Sequence, residues 1–272
     1  MLCFPNCKIN IGLFITNRRL DGYHDLETVF FPVPFYDALE IVPAKDTQLF
    51  LSGLPIIGNK NNNLIIKALQ LLKKEFPNKI KAVDIYLNKV ISMGAGLGGG
   101  SADGAFMLKL LNDFFDLQLS ADELAKYALQ LGSDCPFFIY NKPMFATGRG
   151  EKLQQIALDL KNYSLQLICP DISISTTAAF STIIPKAAAF NLSKVNELPI
   201  HDWRNFVFND FESGIFNLHP QLADIKQQLY QQGALYAAMS GTGSTIYGIF
   251  AKGTQASINA AIGFKSYYFE DI

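Results

Sequence analysis

The chain has 272 residues, of which 49% are hydrophobic and 17% charged, with a formal net charge of −1. This length suits one large domain or two small ones. The composition excludes a disordered chain, and the near-neutral charge argues against nucleic-acid binding through a basic surface. No stretch nears the ~20 consecutive apolar residues of a membrane span. The opening "MLCFPNCKIN" lacks the basic run and long apolar segment of a secretory leader, so neither is expected. The four cysteines (Cys3, Cys7, Cys135, Cys169) have no paired spacing, and the three histidines are scattered. Reduced, buried thiols are therefore expected rather than a zinc site or disulfides, with the cytoplasm as compartment.

In chain order, "KINIGLFI" (8–15) alternates and reads as a strand, and "NRRLDGYHDL" (17–26) as a hairpin turn with Asp21-Gly22 at its tip. Strand character resumes over 27–43, where Pro32 and Pro34 point to an edge or a bulge. Residues 59–76 read as a helix, with Asn61, Asn62 and Asn63 as candidate caps and Leu64, Ala68, Leu71 and Leu72 as the apolar stripe. "AVDIYLNKVIS" (82–92) is a strand that runs into "GAGLGGGSADGAFML" (94–108). There Ser101 is the expected N-cap and Asp103 lies in the first turn; Phe106, Leu110, Leu111, Phe114 and Phe115 form the buried face. Ser120 and Glu123 make a capping box for a helix ending near Gly132, and 133–156 reads as strands. A strand and loop are expected over 163–176, a short helix over 176–183, a helix broken near Pro220 over 209–233, and strand, Gly/Ser/Thr loop and strand over 234–250. This is an α+β order rather than regular βαβ alternation, with a boundary near residue 155 that separates domains 1–155 and 156–272.

Five glycines among residues 94–100 carry a large ordering cost, which close approach of something to the backbone would explain. Gly94, Gly96 and Gly99 satisfy G-x-G-x-x-G, yet the acid-tipped second strand of a dinucleotide fold is missing downstream. A Walker A loop requires a lysine where this chain has Gly100-Ser101-Ala102. A tight turn without function stays open. The remaining reading is a loop whose N–H groups face an anion at a helix N-terminus, where unpaired amides and the helix dipole favour phosphate.

"GAGLGGGSADGA" resembles the ATP loop of the GHMP superfamily of small-molecule kinases. "CKINIGLFI" with "RRLDGYH" resembles its N-terminal motif, and "MSGTGSTIYGIF" (239–250) its C-terminal glycine loop. With "GSDCPFF" and "ATGRGEKL", the pattern resembles the family of 4-diphosphocytidyl-2-C-methyl-D-erythritol kinases. The resemblance implies a two-domain α+β fold with the active site in a cleft between the domains. It further implies ATP-dependent phosphorylation of the 2-hydroxyl of a cytidine diphosphate-linked methylerythritol, in the non-mevalonate route to isoprenoid precursors.

Carried onto this sequence, the resemblance makes Lys8 and Asp134 a catalytic pair, Asp134 receiving the hydroxyl proton and Lys8 holding it ionised and polarising the reacting groups. Gly94, Ala95, Gly96, Leu97, Gly98, Gly99, Gly100, Ser101 and Ala102 are implied to bind ATP, Ser101 being the hydroxyl best suited to phosphate or Mg²⁺. Mg²⁺ is expected to be held mainly by phosphates and water, with no dedicated protein ligand. Tyr23 and His24 are implied to hold cytosine with Phe180 as the second layer of a sandwich. Asn10, Gly241, Thr242 and Gly243 are implied to contact the rest of the substrate. Without the resemblance, Asp134 reads as a turn residue, Lys8 as an edge lysine, Tyr23 and His24 as hairpin flanks, and 241–243 as a hairpin turn. The chain departs from the usual family pattern at Asn6-Cys7, at Ala102 and at Ser181. A homoserine or mevalonate kinase and a catalytically dead ATP-binding relative are the competing readings; "DGYH" and "GSDCPFF" argue against the first, and the presence of both Lys8 and Asp134 against the second.

Overall fold

The alternating apolar residues of the first forty positions form long strands, as expected. The structure, a computed structural model, describes residues 1–56, 62–181 and 183–272. Along the chain run β1 (Leu2–Cys3), β2 (Asn6–Arg18), β3 (His24–Tyr36), β4 (Ala38–Pro43), β5 (Gln48–Gly53), α1 (Leu64–Glu75), β6 (Val83–Lys89), α2 (Gly99–Phe114), α3 (Ala121–Leu131) and α4 (Cys135–Tyr140). Then follow β7 (Met144–Thr147), β8 (Lys152–Gln155), β9 (Tyr163–Pro170), α5 (Thr176–Ser181), α6 (Trp203–Phe206), α7 (Phe211–Leu218), α8 (Pro220–Gln231), β10 (Tyr236–Met239), β11 (Ile246–Ala251) and β12 (Phe264–Phe269). Two compact units result. One comprises 1–8, 35–93 and 98–142; the other comprises 9–34, 94–97 and 143–272. The units interleave along the sequence, unlike a single cut near residue 155.

The first unit holds the sheet β1-β4-β6-β5, in which β4 runs antiparallel and β5 parallel to β6. Along β6, Val83, Ile85, Leu87 and Lys89 are buried while Tyr86 and Asn88 are exposed, so one face carries the core. Helix α2 packs on β1 and β4 and against α1, α3 and α4, and α3 packs against both α1 and α4. The stripe of α1 is Ile65, Ala68, Leu69 and Leu72, so Ile65 and Leu69 take the places expected of Leu64 and Leu71. Asn63 caps α1 by accepting from the Ile65 N–H; the expected start at 59–61 lies outside the described residues. The expected Ser120–Glu123 capping box is present. In α2, Phe106, Phe114 and Phe115 are only half-buried; Ala102, Ala105, Met107, Leu108, Leu110 and Leu111 fill the interior instead, because small residues let this helix lie close to its neighbours.

The second unit holds two sheets, β2-β3-β7-β8 and β10-β11-β9-β12, with all recorded pairings of the latter antiparallel. Strand β3 is interior to its sheet, yet its pairing with β7 ends at Phe30, so Pro32 and Pro34 interrupt no bond of that ladder. Helices α7 and α8 are separated at His219-Pro220 as the sequence predicts; α8 packs onto β10 and β11, and α7 packs against α8. Leu222, Ile225 and Leu229 join Phe211, Ile215, Met239, Ile246 and Phe250 in one core. Each such side chain contributes roughly 1.5–3 kcal/mol by leaving water. The helix expected at 176–183 is α5; Thr182 lies outside the described residues.

Candidate active site

In the first unit, the glycine stretch ends in α2 with Gly98 as N-cap, at φ +70°. Ser101 therefore sits inside the first turn and is not the cap, a correction that follows from backbone shape: the cap position takes a left-handed conformation that glycine adopts without strain. No side chain caps this helix start, which leaves its first N–H groups to an external acceptor. Asp103, expected to complement the dipole in the first turn, lies deeper in α2 and is buried against Lys89.

Lys8 is 3% exposed, and its Nζ lies 3.6 Å from Asp134 Oδ2. A Cβ built on Gly98 would fall 3.1 Å from Lys8 Cε, so the lysine stem lies against the glycine stretch. Asp134 is the N-cap residue of α4 yet makes no capping bond. Its side chain is 35% exposed, and it keeps carboxylate capacity for a ligand. Strand structure was expected here. Helix α4 forms instead because Pro136 suits the first helical turn and Phe137 and Phe138 are buried. Ser101 hydrogen-bonds the thiol of Cys135, next to Asp134. Thus Lys8, Asp134 and residues 98–101 come together within one unit.

Burial pushes the Lys8 ammonium below its ordinary range, and Asp134 opposes that shift. Burial also raises the Asp103 carboxyl to about 7 against the pull of Lys89, and the Cys135 thiol to about 12, which makes that thiol unreactive. Among the described residues, no three His, Cys, Asp or Glu side chains gather as a metal cage.

The second unit contains residues 94–97 and the loop after β10. Ser240 Oγ donates to Gly96 O at 2.8 Å and accepts from the Asn10 N–H at 3.2 Å; the Thr245 N–H donates to Ala95 O at 3.2 Å. A Cβ on Gly96 would fall 1.9 Å from Ser240 O, so the neighbouring loop alone requires glycine there. Asn209 Nδ2 supports that loop by donating to Met239 O and Gly241 O at 2.7 and 2.8 Å, and Glu212 accepts from the Met239 N–H. Asn10 is buried; its Nδ2 donates to Thr28 Oγ1, and its Oδ1 lies beside Gly241. Gly243 is buried and Thr242 half-buried in the same loop.

In this unit too, the ring stacked on Phe180 is His24, at 4.8 Å between centroids and 22° between planes. Tyr23, 56% exposed, carries the Arg149 guanidinium over its ring at 4.4 Å. The sequence reading missed Arg149, although a basic residue in the glycine-flanked turn "TGRGE" was visible. It also missed Lys89 and Asp37, although the alternation of β6 puts Lys89 on the same face as Val83, Ile85 and Leu87.

An uncapped, glycine-rich helix start beside a buried lysine that faces a part-exposed aspartate is the equipment of a phosphoryl-transfer enzyme, and the chain matches the GHMP kinases N terminal domain over residues 63–142 and the GHMP kinases C terminal domain over 199–264. It belongs to the GHMP kinases. It is 50% identical to the 4-diphosphocytidyl-2-C-methyl-D-erythritol kinase of Bacteroides fragilis, covering 98% of this chain and 99% of the relative, and 49% identical to that of Parabacteroides distasonis, covering 93% of each. A crystal structure of 4-(cytidine 5'-diphospho)-2C-methyl-D-erythritol kinase superposes with a TM-score of 0.78 at 28% identity, over 93% of this chain and 91% of that one. The chain is thus a member of the 4-diphosphocytidyl-2-C-methyl-D-erythritol kinase family. The mevalonate kinase of Methanococcus jannaschii shares the fold, with a TM-score of 0.70 at 17% identity over 92% of this chain and 90% of that one.

Proposed function

We propose that the chain transfers the γ-phosphoryl group of ATP to the 2-hydroxyl of 4-diphosphocytidyl-2-C-methyl-D-erythritol. The observation that carries the chemistry is the Lys8–Asp134 pair lying against Gly98; the substrate is taken from the named relatives. The Asp134 carboxylate accepts the hydroxyl proton as the oxygen bonds to the γ-phosphorus. The bond from that phosphorus to the bridging oxygen breaks, and ADP departs with the electron pair. The Lys8 ammonium offsets the charge that builds on the transferring group. Residues 94–102 hold the ATP phosphates through main-chain N–H groups.

Magnesium accompanies ATP in this reading. The Ser101 hydroxyl is the protein oxygen offered to such an ion, and phosphate oxygens and water would complete its shell. Bound there, it would neutralise phosphate charge. Tyr23, His24 and Phe180 receive the cytosine ring, while Asn10, Gly241, Thr242 and Gly243 receive the remainder of the substrate. In this reading residues 1–155 carry the ATP loop and the catalytic pair, 156–272 make the C-terminal domain, and the enzyme works in the cytoplasm.

The test is ADP release by purified protein with ATP and, separately, the cytidine substrate, homoserine and mevalonate. Turnover of the cytidine substrate alone is expected; turnover of homoserine or mevalonate alone rejects the reading, and ATP binding without any turnover favours a dead relative. Tyr23→Ala is expected to raise the KM for the cytidine substrate about tenfold or more, the worth of one base stack, and to leave the KM for ATP unchanged.

A further inference from the structure

Three buried charged side chains lie between the strand that enters the glycine stretch and the helix that leaves it, and the reaction above gives them no part. Lys89, the last residue of β6, places Nζ 2.5 Å from Asp37 Oδ2 and 2.7 Å from Asp103 Oδ2. All three side chains are 4% exposed or less. The other oxygen of Asp37 accepts from the N–H groups of Val90 and Ile91, at 2.6 and 2.9 Å. These are the first two residues after β6. Asp103 stands on α2. One ammonium therefore ties the chain just before the glycine stretch to the helix just after it. The same ammonium lies beneath the first residue of that helix: a Cβ on Gly99 would fall 3.0 Å from Nζ and 2.8 Å from Ile91 Cγ2.

Such a cluster is a poor source of stability. Two carboxylates and one ammonium are withdrawn from water, and Asp103 Oδ1 lacks a hydrogen-bond partner. Well-packed apolar residues in place of buried ion clusters are often neutral or stabilising. What a Lys–Asp–Asp set supplies that apolar contacts do not is direction, since its hydrogen bonds hold in a narrow range of geometry. We propose that Lys89 is a positioning residue for nucleotide: clamped by Asp37 and Asp103, it fixes the first turn of α2 so that the N–H groups of Gly99 and Gly100 already point at the site of a phosphate. The proposal rests on the ATP-binding role given to residues 94–102 above. A stretch this rich in glycine would otherwise have to be ordered at each binding event, at the expense of affinity.

The clamp predicts a split between kinetic parameters that a purely structural role would not produce. The variant carrying Lys89→Met, Asp37→Asn and Asp103→Asn together removes every charge at nearly constant volume. It is expected to melt cooperatively, to raise the Kd for ADP and the KM for ATP about tenfold or more, and to change the KM for the alcohol substrate less than threefold. A folded variant with unchanged ADP affinity overturns the proposal, as does an equal rise in both KM values. Should the triple variant not fold, Asp103→Asn decides, because it keeps volume and one acceptor: a rise of threefold or more in the ADP Kd supports the clamp, and no rise overturns it. ADP binding by unaltered protein without turnover of the cytidine substrate would reject the substrate reading alone, whereas absence of ADP binding would reject both.

Discussion

Lys8 and Lys89 are both buried lysines on strands, both paired with aspartate, and they are built differently. Lys89 is sealed, with carboxylates at 2.5 and 2.7 Å that are themselves out of reach of solvent. Lys8 faces Asp134 across 3.6 Å, and that aspartate is 35% exposed. A close, closed set fixes geometry and has little capacity left for a ligand; a looser, half-open pair has a carboxylate that a substrate hydroxyl can reach. Burial alone therefore does not identify a catalytic lysine. The accessibility of its partner does.

The sharpest way to break this comparison is to remove each partner in turn. Asp134→Ala is expected to lower kcat by about 10²–10⁴-fold, the range of a positioned proton acceptor, while ADP titration stays close to that of the unaltered protein. Near-normal turnover would take Asp134 out of the reaction. Lys89→Met as a single change should act through stability instead, because it leaves two buried carboxylates without a counter-charge. A loss of about 3–5 kcal/mol is expected in denaturant unfolding, and a loss under about 1 kcal/mol would mean the cluster is not closed.

The smallest effect concerns pH. Burial lowers the Lys8 pKa from the ordinary 10.5. Its charged form is the one the mechanism uses, so activity should fall as pH rises through the lowered value, with the alkaline limb of kcat/KM below pH 10.5. Lys8→Arg, a cation that does not titrate in this range, should remove that limb whatever activity it retains. A limb that persists in this variant belongs to another group.

Much of the molecule was legible because its signals are local. Alternation marked β2, β6 and the β10–β11 hairpin; Pro220 marked the break between α7 and α8; Ser120 and Glu123 marked the start of α3. Errors arose where local preference and tertiary need diverge. Ser101 has the chemistry of a cap, but the backbone at Gly98 has the conformation. Residues 135–140 carry aromatic and apolar side chains that suit a strand, yet Pro136 and burial on the helical layer make them α4. Strands β5 and β12 were not foreseen, because their placement depends on pairing with β6 and β9 rather than on a strong pattern of their own.

The candidate site divides along the same line. Sequence by itself determined the family, the glycine-rich helix entry and the identities of Lys8 and Asp134, since motif order and spacing are properties of a linear chain. Only the tertiary structure decided that Gly96 is required by the backbone of Ser240, that His24 stacks on Phe180, and that Asp103 turns inward to Lys89. Those facts are contacts between residues 14 to 156 positions apart. Such contacts are set by how sheets and helices pack, and nothing in a residue's immediate neighbours encodes them.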